Sequence, residues 1–346
     1  MSVVLITGCS SGFGLESALA FARRDHTTYA TMRDLAKADT LVDRAAAENL
    51  DIELLALDVD DATSVTSAIG VVQARHGAID ILVNNAGIDC FGSVETTDLE
   101  RARAVMETNF WGPVRTIQAA LPAMRAKGGA VIINVSSVSG SMPGTPYSSW
   151  YSASKHALNA LSEALFIELD GIDVRVACVD PGFFKTEMVR NSRARGKALR
   201  SDPYEADQAW LVDFFEKSVE ALGGDPVDVA EAIVRAADDP EAPVHNLVGQ
   251  SASTLVDLAR QAGSVEAWLP LAVSLVEARS PVPARGDEPI RLHHRSPDPT
   301  ETAPPGPPMA VGLHWAVDRS DDHRVNHWFG ARAGLVLTGR PTRRTR

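Results

Sequence analysis

Val3-Val4-Leu5-Ile6-Thr7-Gly8-Cys9-Ser10-Ser11-Gly12-Phe13-Gly14 opens the chain almost at its first residue. The four leading apolar residues read as a buried strand. The stretch from Gly12 to Arg24 has the apolar spacing of a helix. Three glycines stand between or just inside these elements. Gly8 permits a sharp turn out of the strand, Gly12 lets backbone approach a bound group, and Gly14 lets helix and strand pack closely. The loop residues Ser10, Ser11 and Phe13 bring backbone N–H groups to the helix N-terminus, where the dipole favours phosphate. Three glycines alone also fit a plain tight turn. The strand-loop-helix context points to a dinucleotide site.

The same pattern continues along the chain. Thr28–Met32, Leu54–Leu57, Ile79–Val83, Val131–Ile133 and Val174–Val179 are short apolar runs separated by segments with helical spacing. Strands apolar on both faces imply a parallel sheet covered on both sides. Right-handed crossovers make it a doubly wound, Rossmann-type α/β sheet. A single domain is expected over residues 1–280, with helices on both faces. Within it, 183–225 is expected to form a substrate lid. Met188–Arg200 is polar and basic, and Tyr204–Leu222 carries Trp210, Leu211, Phe214 and Phe215 at helical spacing. Those four either line an apolar pocket or pack on the sheet. Ser148, Ser149 and Trp150 are further candidates to face a substrate.

Composition bounds the partners. The formal net charge of -12 repels nucleic-acid phosphates and anionic membrane surfaces, so neither is expected as a partner. The start shows neither a basic n-region nor a small-residue cleavage site, so no secretory signal is expected, and with no apolar run as long as a membrane span no transmembrane helix is expected. Cys9, Cys90 and Cys178 show no paired spacing, which suits reduced thiols in a cytoplasmic protein and no zinc site. The character changes near residue 280. Residues 281–346 hold ten of the chain's 20 prolines and five of its nine histidines. Pro304-Pro305-Gly306-Pro307-Pro308 fits neither helix nor central strand, so a Pro/Arg-rich disordered tail is expected. His323 and His327 have helical spacing but sit in that tail, and no metal site is expected.

The second strand ends Tyr29-Ala30-Thr31-Met32-Arg33-Asp34. A site for NAD usually places an acid here for the ribose hydroxyl. Met32 stands in that position and Arg33 follows, with a planar fork suited to a 2′-phosphate. NADP(H) is therefore expected, with Ser11 assisting. Asp34 keeps NAD(H) open if the strand ends one residue later.

Tyr151-Ser152-Ala153-Ser154-Lys155 opens a helical stretch that runs to Leu169. Tyr and Lys at this spacing share one helix face, about 6 Å apart along the axis. A neighbouring ammonium favours phenolate and lowers a tyrosine pKa from about 10, which suits proton transfer near neutrality. A Tyr-x-x-x-Lys match is common by chance, and its company gives it weight. Ser136-Ser137 follows the strand Ala130–Val135, at the sheet edge where doubly wound folds bind ligands. Ser137 there suits a hydrogen bond to a substrate oxygen, or is ordinary loop polarity. Asn84-Asn85-Ala86-Gly87 ends another strand, as a ligand-edge element or a simple turn. Asn109 lies in a long amphipathic stretch, Leu99–Arg125, where Gly112-Pro113 suggests a local distortion; otherwise it is a surface amide.

Together these residues resemble the short-chain dehydrogenase/reductases of the non-extended type, over about residues 2–280. Gly8, Gly12 and Gly14 resemble the glycine motif, Asp58-Val59 the adenine-contact pair, and Asn85, Ala86 and Gly87 part of the family's Asn-Asn-Ala-Gly element. Asn109, Ser137, Tyr151 and Lys155 resemble the catalytic tetrad. Pro181-Gly182 and Thr186 resemble the nicotinamide-carboxamide segment. The glycine loop and the Arg33 strand look like the NADP-preferring branch of 17β-hydroxysteroid and retinol dehydrogenases. The resemblance implies hydride transfer between nicotinamide and an alcohol or ketone, bulky and apolar. Tyr151 would be the acid/base, and Lys155 would lower its pKa and bind the nicotinamide ribose. Ser137 would hold the reacting oxygen, and Asn109 a water for proton relay. It also implies a homodimer or homotetramer. A regulatory nucleotide sensor would have lost part of the tetrad, and an epimerase would carry a larger C-terminal domain.

Overall fold

The computed structural model describes residues 1–186 and 203–277. The polar, basic stretch 188–200, the tail 281–346 and its His323/His327 pair lie outside the described residues. The described residues all fall in the compact unit Met1–Pro281.

The elements run β1 (Val3–Ile6), α1 (Gly12–Ala22), β2 (Thr27–Met32), α2 (Asp39–Glu48), β3 (Ile52–Ala56), α3 (Ala62–His76), β4 (Ile81–Asn84), α4 (Leu99–Met106), α5 (Gly112–Lys127), β5 (Ala130–Val135), α6 (Ser149–Glu168), β6 (Val174–Pro181), α7 (Glu205–Leu222), α8 (Pro226–Asp238), β7 (His245–Val248), α9 (Gln250–Gln261) and α10 (Val265–Glu277). The strands form one seven-stranded sheet in the order β3-β2-β1-β4-β5-β6-β7, every pair parallel. This is the doubly wound Rossmann-type architecture.

Strand alternation builds two cores from single apolar runs. In β1, Val4 and Ile6 enter the core under α1, α2 and α8, while Val3 and Leu5 enter the core under α3, α5 and α6. In β5, Val131 and Ile133 go one way and Ala130 and Ile132 the other. An apolar residue at every strand position is what a sheet covered on both faces requires.

Two elements differ from the sequence reading. The stretch 99–125 is not one regular helix. Glu107–Trp111 forms a π turn between α4 and α5, the distortion that Gly112-Pro113 suggested. The edge strand β7, His245-Asn246-Leu247-Val248, carries too few apolar residues to register as a strand. It is recruited by pairing with β6. Among the described residues no helix is long and apolar enough to cross a membrane.

Candidate active site

The strand order reverses between β1 and β4, so the loops leaving their C-terminal ends diverge and open a cleft. Those loops are tied together. Asn85 Nδ2 donates to the carbonyls of Thr7 at 2.9 Å and Gly8 at 3.2 Å. Thr7 Oγ1 accepts the N–H groups of Asn85 and Ala86, each at 3.0 Å. Gly14 is required by this knot. A β-carbon there would overlap the Gly8 carbonyl oxygen and lie 2.5 Å from Asn85 Nδ2. Gly12 is the opposite case. Its φ of +57° lies in the left-handed region, and a β-carbon would meet nothing closer than the Thr186 methyl at 3.7 Å. Bare backbone therefore faces the cleft. Ser11, extended at the helix N-cap, does not turn its hydroxyl back to cap α1. The first-turn N–H groups are left for a ligand, and a dinucleotide pyrophosphate fits this cradle.

One end of the cleft collects Met32, Arg33, Asp34, Lys37, Asp58 and Val59. The exposed Arg33 guanidinium lies 4.0 Å from Asp58 Oδ2. Asp34 is engaged locally: its carboxylate accepts Ala36 N–H at 3.0 Å and caps a short 3₁₀ turn. Lys37 was not singled out from sequence. A second cation four residues after Arg33 was the available signal.

Ser137, Tyr151 and Lys155 line the same cleft from two elements. Ser137 follows β5, and its Oγ accepts Ser139 N–H at 3.1 Å, which leaves its own proton to donate. Tyr151 and Lys155 lie on the first turns of α6, with Lys155 Nζ 5.8 Å from the tyrosine ring centre. Lys155 is 3% exposed and donates to the Val135 carbonyl at 2.9 Å. Burial lowers its pKa to about 8. The tyrosine moves opposite to the sequence expectation. Burial pushes its pKa up to about 12, against the hydrogen bond of Ser137. The cost of enclosing a phenolate exceeds the help of its neighbours.

Asn109 is fully buried in the π turn, not on the surface. Its Oδ1 accepts Ile88 N–H at 2.8 Å, and its Nδ2 donates to Ile88 O at 2.8 Å and Ser154 Oγ at 3.0 Å. Both amide protons are spent on fixing the segment after β4 to α6. The side chain is thus a clamp, and it offers no free donor to a relay water. Gly87 packs against it: a β-carbon there would lie 3.4 Å from Asn109 Oδ1 and 3.7 Å from Lys155 Nζ.

The cleft has a volume of about 1450 Å³ and brings together Gly8, Ser10, Ser11, Gly12, Phe13, Arg33, Asp58, Val59, Asn85, Ala86, Gly87, Ser137, Tyr151, Lys155, Pro181, Gly182 and Thr186. Gly14 and Asn109 stand behind its wall. Of the four apolar residues singled out in α7, Phe215 alone faces the cleft, beside Gln208, Ala209, Val212 and Val219. Leu211 is buried, and Trp210 stacks on Phe214 with ring centres 5.6 Å apart. Ser148 reaches the cleft; Ser149 and Trp150 do not line it. Phe91 and Phe183, unmarked by any motif, complete an aromatic group with Phe215 at 5.3 and 5.6 Å.

A sequence profile described as short chain dehydrogenase matches residues 2–197. The chain is 38% identical over 239 residues to the uncharacterized oxidoreductase YusZ of Bacillus subtilis, covering 68% of this chain and 84% of that one. It is 34% identical over 265 residues to human retinol dehydrogenase 8, covering 74% and 84%. A metagenomic short-chain oxidoreductase solved in complex with NADP superposes with a TM-score of 0.56 at 26% identity, covering 71% of this chain and 96% of that one. A doubly wound sheet, a glycine cradle and a Ser-Tyr-Lys group on one cleft therefore agree with these likenesses, and the chain belongs to the short chain dehydrogenase family of NAD(P)-dependent oxidoreductases acting on CH–OH and carbonyl groups.

Proposed function

We propose that the protein interconverts a bulky, apolar alcohol and its carbonyl compound with NADP(H), using Tyr151 as acid/base. The observation that carries this reading is that Ser137, Tyr151 and Lys155 face the cleft that also holds the glycine cradle. Bound NADP(H) supplies or accepts the hydride. A phenol with its pKa pushed up to about 12 is a protonated donor at neutral pH, which suits delivery of a proton to a carbonyl oxygen. Ser137 donates to the same oxygen and steadies its developing charge. Lys155 binds the nicotinamide ribose as a cation and eases loss of the tyrosine proton. Asn109 holds the Ile88 segment against α6; a relay water would use its main-chain carbonyl, because both amide protons are engaged.

Arg33 and Lys37 support NADP(H), since both cations line the end of the cleft near Asp58 while Asp34 serves as a local cap. Gly8, Ser10, Ser11, Gly12, Phe13 and Gly14 would hold the pyrophosphate, Asp58 and Val59 the adenine, and Asn85, Ala86 and Gly87 the far wall. Pro181, Gly182 and Thr186 would hold the carboxamide. Phe91, Phe183, Phe215 and Val212 favour an apolar substrate, as the name of retinol dehydrogenase 8 suggests for that relative. Residues 1–280 form the catalytic domain in this reading, with 183–225 as its lid and 281–346 as an extension. A cytoplasmic homodimer or homotetramer completes it; the three cysteines are free and buried.

Tyr151→Phe tests the assignment. Reduction of an apolar ketone with NADPH should fall by at least about 100-fold. NADPH affinity, read by fluorescence titration, should change by less than about threefold. Near-normal turnover in the variant removes the acid/base role.

A further inference from the structure

Lys155 is a buried cation with a single neutral hydrogen-bond acceptor among the described residues, the Val135 carbonyl. Burial drives it toward the neutral amine, and Asp180 is the first group opposing that drive. The other is the Cys178 thiol, whose own pKa burial pushes up to about 12, so it carries no charge at neutral pH. Among the described residues Asp180 is thus the one carboxylate set against the desolvation of Lys155.

Strand geometry explains its position. In β6, Val174 and Val176 pack into the core under α3, α5 and α6. Cys178 and Asp180 follow on that same face by alternation, beneath the helix that carries Lys155. Asp180 is fully buried. Its Oδ2 lies 2.9 Å from His245 Nδ1, and its Oδ1 has no partner among the described residues. The register of β5 on β6 brings Ser136 beside it, and Ser136 Oγ is likewise buried without a partner. His245 pairs with Cys178 across β6 and β7, so its ring shares this face. Its Nε2 lies 3.0 Å from Glu163 Oε1 on α6, which is exposed. Asp180, His245 and Glu163 therefore form a hydrogen-bonded line of titratable side chains from beneath the Tyr151–Lys155 helix to the surface.

We propose that Asp180 is the positioning residue that keeps Lys155 an ammonium, and that His245 tunes this hold by titrating against the same carboxylate. The proposal rests on the reading of Lys155 as part of the reaction site. The titratable groups acting on Lys155 are Asp180 and Cys178 of β6, with the phenol of Tyr151 on its own helix. Those acting on His245 are Asp180 of β6 and Glu163 of α6, which raise its pKa above the ordinary 6.5. Below that raised value the imidazolium cancels part of the Asp180 charge and loosens its hold on Lys155. Above it, the full carboxylate acts.

The test is an NMR titration of the full chain, without cofactor, labelled with ¹³Cε-lysine. The chain has six lysines, and the Lys155 signal is assigned by its loss in Lys155→Met. The wild-type midpoint is expected at about 8. Asp180→Asn should lower it by about one pH unit or more, a roughly tenfold loss in the ammonium-to-amine ratio at fixed pH. An unchanged midpoint overturns the proposal. Should Asp180→Asn fail to fold, His245→Gln at the half-buried edge strand decides. The wild-type Lys155 signal should carry a second inflection above pH 6.5, and the variant should erase it. Its absence in the wild type, or its persistence in the variant, overturns the proposal. A purely structural role would lower the melting temperature without moving either inflection. The readout needs no turnover, so it fails separately from the Tyr151→Phe test.

Discussion

Arg33 and Asp34 are adjacent in the chain and present opposite charges at the same end of the cleft. The carboxylate that caps the turn at Ala36 is already engaged, whereas the exposed guanidinium sits beside Asp58. Arg33→Ala should therefore weaken NADPH binding by about 10- to 100-fold and change NADH binding by less than about threefold, by fluorescence titration. Equal losses for both cofactors would remove the phosphate role from Arg33. At this scale the sequence made identities legible and electrostatics illegible. That Tyr151, Lys155, Ser137, Gly8 and Gly12 share one cleft was readable from their order along the chain. The direction of the tyrosine pKa was not, because it depends on how completely the phenol is enclosed, and enclosure is set by residues far away in the chain. Asn109 was readable as a polar oddity beside Gly112-Pro113, but its partners, Ile88 and Ser154, were not.

Among elements, the β1-α1 corner is the tightest fit. Gly14→Ala must push a methyl into the Gly8 carbonyl and Asn85, both fixed by the knot around Thr7. A loss of about 1–3 kcal/mol in chemical denaturation is expected, with weakened NADPH binding. Gly70 in α3 is the control, because a β-carbon there meets nothing within 4 Å. Gly70→Ala should gain about 0.5–1 kcal/mol. A comparable loss in both variants would show helix α1 to be less tightly seated than its contacts imply. The apolar strands with helices between them made most elements readable. The face α7 turns to the cleft was read only in part: of the four residues left open between pocket and core, Phe215 lines the cleft, while Trp210 and Phe214 stack on each other and smaller residues, Ala209 and Val212, line it beside Phe215. The strand β7 was missed because it is short, polar and held by its neighbour rather than by its own pattern.

For the whole molecule, the doubly wound sheet follows from apolar runs that fill two cores at once. Composition marks a change near residue 280. Deleting 281–346 should leave the melting temperature within about 2 °C of the full chain in a thermal scan. A fall of more than about 5 °C would show that the extension contributes to the folded domain. The reversal of strand order between β1 and β4 has one more consequence. In the proposed reading, the residues for the adenosine half and the pyrophosphate come from loops after β1, β2 and β3, and the reacting group comes from the end of β5 and from α6. A dinucleotide spanning this divide behaves as a chelating ligand with two anchors on one tether. Once one anchor is seated, the other meets its subsite at a local concentration set by the tether, on the order of millimolar or above. The whole cofactor can then be gripped firmly by two half-sites that each hold a mononucleotide only weakly.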